Sequence, residues 1–392
     1  MNRSRWATAE SAIASSTPAR ASSGSSGFRT DSHSPKERLV IRRTCWLLAT
    51  ILLTGATLSA QSTSRPLVIY FVDVEGGQAT LIKTPAGEGF LIDAGFPGGT
   101  GTFQSTPGAP ESARDAQRIL AAARDAGLTQ IDHLMLTHYH ADHAGGVIEL
   151  AQLMPIRHFI DHAAPSAEAE VVVPGTQALY DAYVALRAKG THTEPKPGDT
   201  LAIKGLDVVV VSTAGDVLTT PINGAGAANP ACGSGGVPAQ EKTENPRSTG
   251  IRLKYGKFRF LDIGDLSGPP QYALTCPRNL IGEADVYLIA HHGGADGSDP
   301  AFFAAVKPRV AVFNNSPRKG AQAPTFATLA QMPSIDGWQL HRSLNQGVTN
   351  LPDERIANLD ESTSAWIKIT AQNDGSFTVT NGRTGQTKVY PR

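Results

Sequence analysis

A chain of 392 residues with 40% apolar side chains can bury a full core without staples, as one large domain or two modest ones. Its 35 Lys and Arg balance 35 Asp and Glu, so no overall field draws it to nucleic acid or to an anionic membrane. With 18% charged residues, 39 Gly and 26 Pro, the composition excludes a coiled coil or a disordered hub and points to a compact, loop-rich enzyme.

Residues 1–36 are rich in Ser, Ala, Arg and Thr and poor in large apolar side chains, and are expected to stay disordered. Arg42-Arg43, an apolar run from Cys45 to Leu58 and a Ser59-Ala60-Gln61 junction follow, the pattern of a secretory signal cleaved near Ala60. The run is short for a membrane span and leads into polar residues, which favours cleavage over anchoring. Residues 1–39 are therefore read as a disordered extension or the product of a misplaced start, 40–60 as a signal peptide, and 66–392 as the working domain. The implied destination is periplasmic or secreted, with no transmembrane segment left after cleavage. Export permits a disulfide between Cys232 and Cys276, the alternative being two separate buried thiols. Neither has a Cys-x-x-Cys neighbour, so a thiolate zinc knuckle is not expected.

From Leu67 the pattern alternates strand-length apolar runs with amphipathic stretches. Three hairpin-like strands are expected at Leu67 to Val74, Ala79 to Lys83 and Phe90 to Ile92. Ser112 can cap a helix that Gly127 ends, and a buried strand follows at Ile131 to Leu136. Beyond a His-rich loop come a helix near Val147 to Leu153, a strand from Ile156 to Ile160 and a helix from Thr176 to Lys189. Later strands are expected at Leu206 to Val211, Ile251 to Tyr255, Phe258 to Ile263, Val286 to Ala290 and Val310 to Asn314, with helical pieces near Ala301 and Phe326. Pro221 to Gly250 is a long Gly, Pro and Asn-rich loop, of a length more often functional than idle. Ser364 to Thr380 reads as a hairpin about Asn373-Asp374-Gly375 that closes the domain.

One grammar appears twice. Gly89-Phe-Leu-Ile-Asp-Ala-Gly95 leads to the strand Ile131 to Leu136 and a His cluster; Phe258-Arg-Phe-Leu-Asp-Ile-Gly-Asp265 leads to Asp285 to Ala290 and His291-His292. If the halves pack alike, both polar sets emerge at one sheet edge and build one shared site.

His138, His140, Asp142 and His143 fall within six residues directly after a buried strand, a density of nitrogen and oxygen ligands that favours metal binding over a structural role. Imidazole and carboxylate without thiolate suit zinc, and manganese or iron would accept the same set. Asp265 is the natural bridging carboxylate, and His291 or His292 can complete a second ion. A metal-bound water loses its proton near neutral pH, so no Ser or Cys nucleophile is needed.

The runs THYHADHAGG, LDIGD and LIAHHGG resemble the successive metal motifs of the metallo-β-lactamase superfamily, from about Leu67 to beyond Asn314. The GD strand paired with HHG, and the segment NNSPRKG, most resemble its competence-type, ComEC-like branch and stand-alone secreted relatives. The resemblance implies an α/β fold, an αββα sandwich with two metals, by expectation zinc, at its edge. It also implies that His138 and His140 hold the first metal, Asp142, His143 and His291 or His292 the second, with Asp265 between them. Many members add a first-site His from a Pro-Gly-His-Thr-like turn. Here Glu244-Asn245-Pro246-Arg247-Ser248 stands there instead, so that site is three-coordinate, weakly occupied or completed by His162.

Other residues carry weaker expectations. Asp73 and Asp93 sit near strand ends, where they can orient ligand imidazoles or simply form turns. His133 is expected to face away, and His192 and His341 are lone residues. Arg318 and Lys319 offer two cations to a phosphate or carboxylate, or form a solvated basic loop. The leading expectation is an exported metallo-hydrolase, with Asp142 and His162 at the chemistry and a small-molecule or phosphodiester substrate. Lactone, ester or β-lactam hydrolysis is the alternative within the fold, and a non-catalytic metal-binding or interaction protein the alternative outside it. Oligomeric state is not legible.

Overall fold

The computed structural model describes residues 65–98, 109–233, 237–297 and 299–392; the expected extension and signal peptide lie outside the described residues. No helix among the described residues is long and apolar enough to cross a membrane.

The first sheet begins with β1 (Leu67–Phe71), β2 (Thr80–Lys83) and β3 (Gly89–Ile92), an antiparallel meander. It continues in parallel through β4 (Ile131–Met135), β5 (Ile156–Ile160) and β6 (Thr191–Thr193), because helices now cross over between strands. The second sheet starts with β7 (Thr200–Leu201), β8 (Asp207–Thr213), β9 (Asp216–Val217) and β10 (Gly250–Tyr255). It runs on through β11 (Phe258–Asp262), β12 (Val286–Leu288), β13 (Val310–Phe313), β14 (Asp336–His341) and β15 (Ile356–Asn358), parallel from β11 onward. The chain then returns to the first sheet with β16 (Ile367–Ala371), β17 (Phe377–Asn381) and β18 (Thr387–Tyr390), β16 pairing with β1.

The inner faces, with Ile69, Phe90 and Ile92 on one side and Phe260, Val286 and Val310 on the other, fuse into one core. The outer face of each sheet is covered by helices, Ile119 and Val147 packing on the first and Phe302 and Phe326 on the second. This is the expected αββα sandwich. The hairpin near Asn373 closes the first sheet, as its turn residues and alternating apolar positions require. One local expectation is corrected: Ser112 caps no helix. Its hydroxyl donates to Ala109 O, and the helix Arg114–Asp125 starts at Ala113 without a side-chain cap.

Chain direction decides where a site can form. β1, β3, β4 and β5 run the same way, as do β11 to β14, and the loops leaving the carboxyl ends of such strands are where α/β proteins gather polar ligands.

The closing tail is fastened at β14. Asp336 takes Lys388, Arg355 Nη1 at 2.9 Å and the Tyr390 hydroxyl at 2.9 Å. Burial works against its charge, but these partners outweigh burial and hold the carboxyl below its ordinary value. The stabilisation is therefore present above the unfolded carboxylate pKa and is lost as pH falls through the folded one. Asp336→Asn is expected to lower stability by about 1–2 kcal/mol at neutral pH. In denaturant titrations the gap to the parent should close below pH of about 4; a gap unchanged down to that pH would show that the ion pairs contribute nothing.

Candidate metal centre

The loop after β4 is pinned before any ligand is considered. Asp93, with φ 59° in the left-handed region that Asp tolerates, accepts the Thr137 N–H at 2.8 Å and the Thr137 hydroxyl at 2.7 Å. Its Oδ2 also lies 2.7 Å from His143 Nδ1. A carboxylate there places the ring proton on Nδ1 and leaves His143 Nε2 bare, as metal-ligating histidines require.

His143 Nε2 faces three other groups. It lies 3.2 Å from Asp142 Oδ2, 3.2 Å from Asp265 Oδ2 and 3.3 Å from His292 Nε2, while His292 Nε2 is itself 3.2 Å from each carboxylate oxygen. Five of the six edges of this four-atom cage are 3.2–3.3 Å, and a regular tetrahedron with such edges has its centre about 2.0 Å from each corner, the bond length of zinc to nitrogen or oxygen. All four residues are buried, and Asp265 Oδ1 has no hydrogen-bond partner among the described residues. The cage also favours positive charge. Burial opposes ionisation of His143, yet Asp265, Asp142 and Asp93 hold it well above the ordinary imidazole value. Burial likewise opposes the Asp265 and Asp142 charges, but the neighbouring histidines, with Lys319 at Asp142, hold both well below the ordinary carboxylate value. Donor types, spacing and charge all fit a divalent cation.

Beside the cage, His138 Nε2 and His140 Nδ1 converge at 3.0 Å, and His140 Nε2 is buried without a partner among the described residues. Burial, then repulsion from His143 and His140, holds His138 well below its ordinary value and so in the neutral form that ligates. The cage with this histidine pair is consistent with a dinuclear site. His162, one of the readings for completing that site, faces Glu244. Its Nε2 lies 3.2 Å from Glu244 Oε2, both atoms buried without a hydrogen-bond partner among the described residues, and its Nδ1 lies 2.5 Å from Ala163 O, while Arg247 stands 3.1 Å from the other Glu244 oxygen. In Pro246-Arg247-Ser248-Thr249, Ser248 puts its hydroxyl 3.4 Å from His138 Nδ1. A serine, not an imidazole, stands at that turn.

Of the two adjacent histidines, His292 enters the cage and His291 stays at the rim, 30% exposed, with Nε2 3.8 Å from Asp265. Both have left-handed backbones, φ 51° and 56°, a turn that sends consecutive side chains to different environments. His291 Nδ1 lies 2.6 Å from Asp296 Oδ2; burial opposes its charge, but Asp265 and Asp296 push it up to about 9. Lys319 Nζ contacts Asp142 Oδ2 directly. Gly320 lets its loop lie against His292, because a Cβ there would stand 2.3 Å from His292 O. Arg318, Lys319, His291, His292, Asp296 and Gln322 line an open cleft of about 360 Å³ that shares His292 with the cage.

Residues 72–226 match the family model of the metallo-β-lactamase superfamily. The chain is similar to that family over less than half of its length. It has the fold of that superfamily, which points to a metal-dependent hydrolase. Among solved structures it is similar to the metallo-β-lactamase fold protein YhfI from Bacillus subtilis, at 11% identity and TM-score 0.39, over 70% of this chain and 95% of that one. It is also similar to Igni18, a metallo hydrolase from Ignicoccus hospitalis, at 16% identity and TM-score 0.37, over 73% and 97%. A third is CmlA, a diiron β-hydroxylase from Streptomyces venezuelae, at 18% identity and TM-score 0.35, over 64% and 45%.

The remaining histidines of the domain lie on other groups. His133 meets Glu88 and His158, and His192 meets Asp161. Cys232 and Cys276 form a disulfide that ties the long loop to the segment after the helix Gly268–Ala273. Two features escape a reading of the sequence. Glu244 is fully buried on His162, and His341 is fully buried on Asp73, 268 residues away. Neither carries a local signal, since a lone Glu in a Gly-rich loop and a lone His ending a strand look like surface residues.

Proposed function

We propose that this domain is an exported hydrolase of the competence-type, ComEC-like branch that cleaves phosphodiester or nucleotide-type substrates at a two-cation centre. His138 and His140 would hold one cation, Asp142, His143 and His292 the other, with Asp265 shared. Zinc is favoured by the donor set and the tetrahedral spacing. Bound there, the cations would lower the pKa of a water toward neutrality and polarise the scissile bond.

The observation that carries the substrate assignment is the basic lining of the cleft beside Asp142. Lys319 reaches the cage, Arg318 is exposed on the same loop, and His291 stands opposite with Asp296 orienting its ring. With cations bound, Asp142 no longer needs Lys319, and the ammonium is placed to meet an anionic oxygen of the substrate. A neutral lactone makes no use of two side-chain cations at this position, and the single carboxylate of a β-lactam needs only one of them.

The purified mature protein should therefore turn over phosphodiesters in preference to lactones, thioesters and β-lactams, and activity confined to those three classes would sink the assignment. Lys319→Met should raise KM for the phosphodiester roughly 10- to 100-fold, the scale of one charged hydrogen bond, while the bound metal count stays the same. Export is tested apart from activity, by the intact mass of the natural product, which should begin just after Ala60.

A further inference from the structure

A second group of ligand atoms stands at the same sheet edge. Asp73 follows β1, Glu75 lies two residues on, and His341 ends β14. One atom from each falls within 4.8 Å of the others, and all three residues are buried. Asp73 and His341 are fully buried and Glu75 is 6% exposed.

Both carboxylates face the same two side chains, and Asp73 Oδ1 also accepts the Glu75 backbone N–H at 3.1 Å. Asp73 Oδ2 and Glu75 Oε1 take Arg118 Nη1 at 3.0 and 3.1 Å. Asp73 Oδ1 and Glu75 Oε2 turn instead to His341 Nε2, at 2.7 and 3.5 Å. A single Nε2–H can satisfy only one of these oxygens, and it reaches Asp73. Glu75 Oε2 is left buried without a hydrogen-bond partner among the described residues. Two carboxylates against one guanidinium also leave a negative charge out of water, and protonating His341 balances it only by leaving a buried Nδ1–H without an acceptor among the described residues. A cation shared by Asp73 Oδ1, Glu75 Oε2 and His341 Nε2 would satisfy all three at once.

We propose that Asp73, Glu75 and His341 form a third divalent-cation site, separate from the two-cation centre. One nitrogen and two carboxylate oxygens suit zinc or manganese. The site braces the centre rather than reacting. The loop it would hold continues through Gly77, where a Cβ would stand 2.3 Å from Asp142 O, to Gln78, whose N–H donates to Asp142 O at 3.0 Å. Filling the site fixes the backbone behind one proposed ligand of the centre.

The test counts ions and does not depend on turnover. Metal-stripped protein is loaded with zinc chloride or, separately, manganese chloride, desalted and analysed for bound metal. Glu75→Gln, which keeps the side-chain shape, should hold one equivalent fewer than the parent, and His341→Gln should lose the same ion. The comparison is repeated in an Asp142→Ala, His292→Ala background, where the proposed cage is dismantled. One equivalent that disappears on adding Glu75→Gln supports the site even if the reading of the main centre fails. Equal metal counts with and without Glu75→Gln in both backgrounds would overturn it. If the two single variants fail to fold, pulsed electron paramagnetic resonance on the manganese-loaded native chain decides: imidazole couplings from a further ion outside the main pair support the site, and their absence rejects it.

Discussion

Asp265→Asn is expected to lose turnover by about 10³-fold, the scale of removing a principal electrostatic element from an active site. Bound metal should fall with it. The carboxylate lies 3.2 Å from His143 Nε2 and from His292 Nε2, is 2% exposed, and keeps a second oxygen without a partner among the described residues. Asparagine preserves shape and removes charge, so folding should survive while the cage loses one of its two negative groups. The readouts are metal content after desalting and kcat/KM on the best phosphodiester of the panel. A variant that keeps both ions and full activity would show that Asp265 only fills space. A loss of turnover with unchanged metal content would move it from ligand to a group that acts on substrate.

The elements with clean patterns are legible because one face of each is buried. The parallel strands β12 and β13 are continuous apolar runs, β4 and β5 are apolar at both ends around an Asp-His and an Arg-His pair, and the hairpin of β16 and β17 alternates. β14 and β18 are not legible for opposite reasons. β14 buries Gln339 and His341 in polar networks, so its core face does not look apolar, and β18 is exposed over most of its length. Within the site, the gathering of His138 to His143 is legible because it is local. The meeting with Asp265 and His292 is legible because the two halves repeat one strand grammar, which puts both polar sets at one edge. The choice of His292 over His291 depends on two left-handed residues, which no side-chain pattern announces. Lys319 meets Asp142 across 177 residues and His341 meets Asp73 across 268, so both depend on how the second sheet is laid on the first. The surroundings of His162 depend on the fold in the same way: it follows a buried strand at that edge, and the carboxylate beside it, Glu244, comes from the long loop.

Asp93 offers a test of how the repeated halves divide their work. Asp93→Asn is expected to weaken metal binding roughly 10- to 100-fold, the usual cost of losing the group that orients a ligating imidazole. The carboxylate holds His143 Nδ1 at 2.7 Å and the Thr137 backbone at 2.8 Å, so one residue sets both ring orientation and loop position. An amide oxygen can still accept one of these bonds, but it lacks the charge that makes His143 a better ligand. Activity should therefore return when excess metal is supplied, which separates Asp93→Asn from Asp265→Asn. The counterpart acid in the other half, Asp262, receives Gln78 Nε2 at 3.1 Å and Gly264 N–H at 3.1 Å rather than an imidazole. Asp262→Asn should leave metal affinity within a few-fold of the parent, which makes it the internal control. Chelator competition on the two variants distinguishes the cases. Equal, small losses would reduce Asp93 to a turn residue, whereas a large loss in Asp93→Asn alone would show that the first half orients the ligand and the second supplies the charge.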